Sequence, residues 1–251
     1  MDTRERLRAG LGDALRGPGG ALAAADRLCR ACVELLAVDG AAVSITQAGT
    51  TRGTFGSSGE LSRRLDEYQF TYGEGPCLDA VATGRPVLVG DVGDQRDPRW
   101  PAFSQAALGS GVRAVFALPV ALAQAPIGAL DLFRNAAGPL TELGLEGGLW
   151  AAELAALPLL ELMTEVEPVA DAEDGWKQLA SLERVEVYQA TGMIIGHLDV
   201  EPAEALVRLR AYAFAQGVTA SEAAWAIVER RVSLTDEESF RFGPDTSDGR
   251  S

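Results

Sequence analysis

Histidine is almost missing from this chain: His197 is the only one in 251 residues. With one imidazole, no G-x-S-x-G and no His/Cys set at metal-ligand spacing, the sequence offers no catalytic constellation, no metal site and no cofactor to expect. Cysteine is scarce too, and three thiols, an odd number, fit a reducing interior better than a disulfide scaffold. No run of about 18 apolar residues occurs, so no membrane span is expected. The opening MDTRERLRAG lacks the apolar core of a secretory signal, which makes the cytoplasm the expected compartment. Positive charge is also in deficit. The formal net charge of −14 argues against a protein that clings to polyanions indiscriminately.

What the chain does have is apolar residues, 47% of its length, enough for a sizeable core and for two domains. After an amino-terminal tail, 1–19, residues 20–37 read as a helix with Leu22, Leu28, Val33, Leu35 and Leu36 on a broad apolar side. Ala41 to Thr46 alternates, with Val43 and Ile45 on one face, as in a half-buried strand. Thr51 to Phe55 predicts a second strand, Glu60 to Gln69 a helix, and Cys77 to Thr83 a short helix opened by Pro76. Val87 to Val89 is a short strand and Pro98 to Leu108 a helix. Val112–Val120 and Ile127–Phe133 read as strands joined near Gln124–Pro126. This order does not alternate as a parallel α/β sheet would, and predicts an α+β module with an antiparallel sheet.

Four local motifs invite chemistry. Cys29-Arg30-Ala31-Cys32 is a C-x-x-C inside a predicted helix, without the strand that would precede a redox pair, and reads as inert thiols. Cys77 sits at a helix start, where a dipole lowers a thiol pKa, yet a small space-filling side chain is the simpler reading. Gly73-Glu74-Gly75-Pro76 lacks the lysine and Ser/Thr of a phosphate loop and reads as a tight turn. Asp91, Asp94 and Asp97 lack a bidentate glutamate at calcium-site spacing and read as turn-forming, solvated carboxylates.

Residues 141–173 form a Leu/Ala-rich connecting helix, with Pro158 expected to kink or split it, and an acidic linker. A helical stalk follows from 174, with Trp176, Leu179, Leu182 and Val185 on one side, suited to a dimeric seam. Three short helices then reach residue 234. The first carries Val185, Tyr188, Gly192 and Ile195, with Val187, Ala190 and Ile194 alongside. The second opens at Pro202, buries Leu206, Leu209 and Ala213, and stops at Gly217. The third begins with a capping box, Thr219 and Glu222, and a staple, Val218 and Ala223, turns Ala223, Ala224, Ile227 and Val228 inward, and ends on Arg230–Arg231. Residues 235–251 are a polar tail.

Two resemblances follow. Gly73-Glu74-Gly75-Pro76-Cys77-Leu78, Gly84-Arg85-Pro86-Val87 and Gly128-Ala129-Leu130-Asp131 resemble GAF domains, placing a GAF-like sensor at 20–140. The resemblance implies an antiparallel sheet with a pocket for a small-molecule ligand, assigned to Cys77, Trp100, Phe116 and Leu130; with no histidine in the domain, a bilin or haem is not expected. Gln189-Ala190-Thr191-Gly192-Met193, Glu204-Ala205, Leu209-Arg210-Ala211-Tyr212-Ala213 and Glu222-Ala223-Ala224 resemble the ANTAR domain of bacterial antiterminators, placed at 174–234. That resemblance implies a homodimer that binds structured mRNA hairpins. Arg184, Gln189, Thr191, Arg208, Arg210 and Tyr212 are the residues assigned to RNA.

The expected whole is a non-enzymatic antitermination regulator of the actinobacterial GAF–ANTAR type. It has a GAF-type antiparallel sheet with flanking helices, then a helical stalk and a three-helix bundle. From Lys177 to Leu234, six basic residues face seven acidic ones, a net of −1, so attraction to RNA depends on arginine placement. Arg208 and Arg210 point about 200° apart on one helix. Two other readings stay open: a methionine sulfoxide reductase-like enzyme using Cys77 with Cys29 or Cys32, and a dimeric scaffold whose terminal helices bind protein.

Overall fold

A computed structural model describes residues 2–47, 50–94, 96–165 and 184–232. The chain divides into two compact units, Met1–Glu183 and Arg184–Ser251.

In the first unit, strands β1 (Gly40–Gln47), β2 (Thr50–Ser57), β3 (Val87–Val89), β4 (Ala114–Leu122) and β5 (Ala125–Arg134) form one sheet in the order β2-β1-β5-β4-β3. Every pairing is antiparallel, so this part of the fold is the α+β sheet with flanking helices that the sequence predicts. Helices cover both faces. On one lie α1 (Thr3–Ala14), α2 (Ala21–Leu35) and α6 (Glu142–Glu165). On the other lie α3 (Glu60–Tyr72), α4 (Pro76–Thr83) and α5 (Pro101–Gly109).

This sandwiching corrects the half-buried reading of β1. Val43 faces the first layer and Ala42 and Ser44 the second, and all three are fully buried. Alternation there records two different buried environments, not core and solvent.

Residues 1–19 are not merely a tail. Asp2 and Glu5 form a capping box that starts α1, and Leu7 and Leu11, one turn apart, are buried in the core under it. Likewise α6 is more than a connector. Pro158 lies inside it without dividing it, and Ala151, Ala152, Ala155, Ala156 and Leu159 pack into the sheet core. By length and apolarity alone the window Glu142–Glu161, mean hydropathy 1.3, is long enough to cross a membrane, but half of it is buried within the unit. The chain after residue 165 as far as 183, including Trp176, Leu179 and Leu182 of the expected stalk, and the 235–251 tail lie outside the described residues.

The second unit holds α7 (Val185–Leu198), α8 (Pro202–Gln216) and α9 (Ala220–Val228). Asp199 and Gly217, both left-handed, end α7 and α8, and Pro202 occupies the first turn of α8. The Thr219/Glu222 capping box forms as the sequence predicts, with Thr219 N donating to Glu222 Oε2 at 2.8 Å and Glu222 N to Thr219 Oγ1 at 3.1 Å. On α7 the inward side is Val187, Ala190 and Ile194, whereas Val185 and Tyr188 are exposed. The set expected as the main apolar face is therefore the outer one.

Candidate ligand face and candidate nucleic-acid interface

The β5 motif Gly128-Ala129-Leu130-Asp131 places a carboxyl in the middle of the sheet. Period-two geometry sends Leu130 to the α1/α2/α6 side and Asp131 to the α3/α4/α5 side, opposite Ala42 on β1 and Ala117 on β4. Here a buried polar cluster interrupts the core. Asp66 of α3 accepts from Ser44 Oγ, and from Thr54 Oγ1 at 2.6 Å. Gln69, one turn along α3, donates its Nε2 to Asp131 Oδ2 at 2.7 Å and accepts the Cys77 backbone N–H on its Oε1 at 2.8 Å. One amide thus ties α3, α4 and β5 together.

Gly75 makes this possible. Its φ of 144° is open to glycine, and any Cβ there would collide with the Gln69 side chain. The expected tight turn is present, and its glutamate has a task the sequence concealed: Glu74 Oε1 accepts from the backbone N–H groups of Ala102 (2.7 Å) and Phe103 (3.0 Å), capping α5.

Burial pushes the Asp131 carboxyl up to about 8, with Asp66 adding to the rise and the Gln69 hydrogen bond opposing it. The Cys77 thiol is raised well above its ordinary value, first by burial and then by Asp131 and Asp66. Cys29 and Cys32 are also raised by burial, Cys32 to about 12. None has the lowered pKa of a reactive thiol. The sheet separates them as well: Cys29 and Cys32 belong to the α2 side, and Cys77 to the Asp131 side.

The four residues assigned to one pocket do not share one. Trp100 packs with Phe103, Val92 and Phe133 on the α5 side, whereas Phe116 and Leu130 belong to the opposite core. The polar residues that do converge, Ser44, Asp66, Gln69 and Asp131, were not assigned to a site. A lone acid within the apolar run GALDLF was the available signal. The three loop aspartates are each paired with arginine: Asp91 with Arg113 (3.0 Å), Asp94 with Arg96 (2.7 Å) and Asp97 with Arg99 (2.6 Å). The Arg96 hydrogen bond holds Asp94 down at about 2. Among the described residues no cluster of ligating side chains suits a metal ion.

In the second unit, Arg184 is buried at the start of α7, and Arg210 is half-buried. Burial lowers the Arg210 pKa, and the nearby charge of Arg184 lowers it further, so these two cations are close together. Arg208 is bound to Glu204 one turn back at 2.6 Å. Thr191 turns its hydroxyl onto its own helix, donating to the Val187 carbonyl at 2.6 Å. Gln189 is exposed. Tyr212 lies half-buried in a groove of about 700 Å³ with Gln216, Trp225 and Arg231. Trp225 on α9 is 48% exposed.

Residues 23–146 match the GAF domain family. This part of the chain is a GAF domain. Solved structures of similar fold include the GAF domain of a phosphoenolpyruvate-protein phosphotransferase from Coxiella burnetii, at 13% identity and TM-score 0.51, covering 65% of this chain and 96% of that one. Another is a free methionine-R-sulfoxide reductase from Neisseria meningitidis in complex with its substrate, at 16% identity and TM-score 0.50, covering 65% and 92%. At such identities the likeness carries the fold alone. No curated protein matches the chain. The GAF sheet face under α3 and α4 is thus the candidate ligand face, closed here by its own side chains.

Proposed function

We propose that this protein is a cytoplasmic transcription antitermination regulator. Its GAF domain acts as the sensor, and its carboxyl-terminal helices act as an ANTAR-like output that binds paired hairpins in nascent mRNA as a homodimer. The observation that carries the reading is the distribution of the four motif segments, one on α7, two on α8 and one on α9, together with the capping box that opens α9. Exposed Tyr188, Gln189 and Trp225 add groups suited to unpaired loop bases, by stacking or hydrogen bonding. Because Arg184 and Arg210 are drawn into the fold and Arg208 is paired, stacking carries more of the contact than charge does. Binding is then expected to fall only shallowly with salt.

The test is to sequence the RNA that co-purifies with the intact protein. Paired hairpins upstream of terminators are expected; a random sample of cellular RNA sinks the proposal. The reductase reading is disfavoured by thiols that are buried, raised in pKa and separated by the sheet.

A further inference from the structure

The buried acids of the GAF domain are not explained by folding alone. Among the described residues Asp131 has one side-chain hydrogen bond, from Gln69, and its Oδ1, fully enclosed, has none. The titratable groups that face it are Asp66 on α3 and the Cys77 thiol on α4; its register neighbours Ala42 and Ala117 bring no charge. A bare carboxylate in such a place is costly, and a retained proton is the cheaper state. The α3–α4 turn, which lies between Gln69 and Cys77 and is closed by the bond between them, has two glycine joints, Gly73 with φ 64° and Gly75 with φ 144°.

We propose that Asp131, set beside Asp66 and tied through Gln69 to α3 and α4, is a proton-operated latch on the ligand face. With its proton, the two helices stay seated and seal Cys77. Without it, the enclosed carboxylate is relieved only when the Gly73–Pro76 turn lifts and admits water or a hydrogen-bond-donating ligand to Oδ1. The acid's raised proton affinity supports this order of events. Opening then grows by up to roughly tenfold per pH unit between the ordinary carboxyl range and about pH 8, and levels off above. The latch is independent of the RNA reading.

The experiment treats the full chain with N-ethylmaleimide at about pH 6, 7, 8 and 9. Each thiol is quantified by peptide mass spectrometry, and its rate is divided by that of the urea-unfolded chain to remove intrinsic thiol reactivity. Cys77 is expected to be modified faster than Cys29 and Cys32, with its normalised rate rising tenfold or more from about pH 6 to 8 and flattening beyond. Asp131→Asn is expected to abolish that rise. Modification of all three thiols in step reports global unfolding and overturns the latch, as does a Cys77 rate flat in pH. Should the variant fail to fold, carbon-13 titration of the Asp131 carboxyl in the unaltered chain decides: a midpoint near 8 supports the latch, and one below about 5 overturns it.

Discussion

Among the described residues the two units treat their aromatic side chains in opposite ways. The GAF unit fully buries Phe55, Phe103, Phe116 and Phe133 between its sheet and helices. The carboxyl-terminal unit instead buries Ala190, Ala205, Ala213, Ala220, Ala223 and Ala224 around Val187, Ile194, Leu209 and Ile227, and leaves Tyr188, Val207, Phe214 and Trp225 exposed. Alanine removes little apolar area from water, so the smaller unit gains less per buried residue. One unit is built to hold shape, and the other to present surface.

Removing a ring from the larger core should have the greatest effect. Phe116→Ala is expected to cost about 3–5 kcal/mol in urea unfolding of the GAF unit, and a loss below about 1 would place its stability elsewhere than in the packed aromatics. Next comes Asp131→Asn. A carboxyl whose folded pKa is about 8, above its unfolded value, contributes stability that is full at low pH and declines as pH rises towards 8. The asparagine should abolish that decline and raise the unfolding free energy at pH 8 by an amount on the order of a few kcal/mol; an unchanged pH profile would mean the acid is not held neutral.

In the smaller unit the effects shrink. Thr219→Ala should destabilise α9 by about 1 kcal/mol, seen as faster amide exchange in α9, and no change would mean that the capping box contributes little to this helix. The smallest effect is expected at Gly192, where an added Cβ meets nothing within 4 Å. Gly192→Ala should stabilise α7 by roughly 0.5–1 kcal/mol in thermal unfolding. If it also weakens RNA capture, that bare stretch of helix is a surface of approach; if capture is untouched, it is only exposed helix.

Most element types could be read from periodicity and punctuation, since Gly73, Gly84 and Gly217 end their helices in left-handed conformations. What escaped reading has a physical cause. Helix α1 offers only Leu7 and Leu11 among charged residues, too few to show a face before the sheet beneath it is known. Parity along β4 and β5 separates two faces but does not say which helix layer covers each, so sequence alone places Phe116 and Leu130 with Cys77 and Trp100. Exposed helix faces mislead in the same way: Val185 and Tyr188 have helical spacing, as a buried stripe does, yet they point to solvent. The polar cluster was hidden because its members, Ser44, Asp66, Gln69 and Asp131, are far apart in sequence.

The β4–β5 hairpin turns on Ala123 and Gln124, at φ 47° and 73°, where an Asn-Gly pair would sit with less strain. Such a bend is imposed by the strands it joins rather than the reverse. The central hairpin is then expected to zip from its middle and close its tip last, so Asn-Gly at these two positions should slow unfolding with little change in the refolding rate, while the native register stays the same.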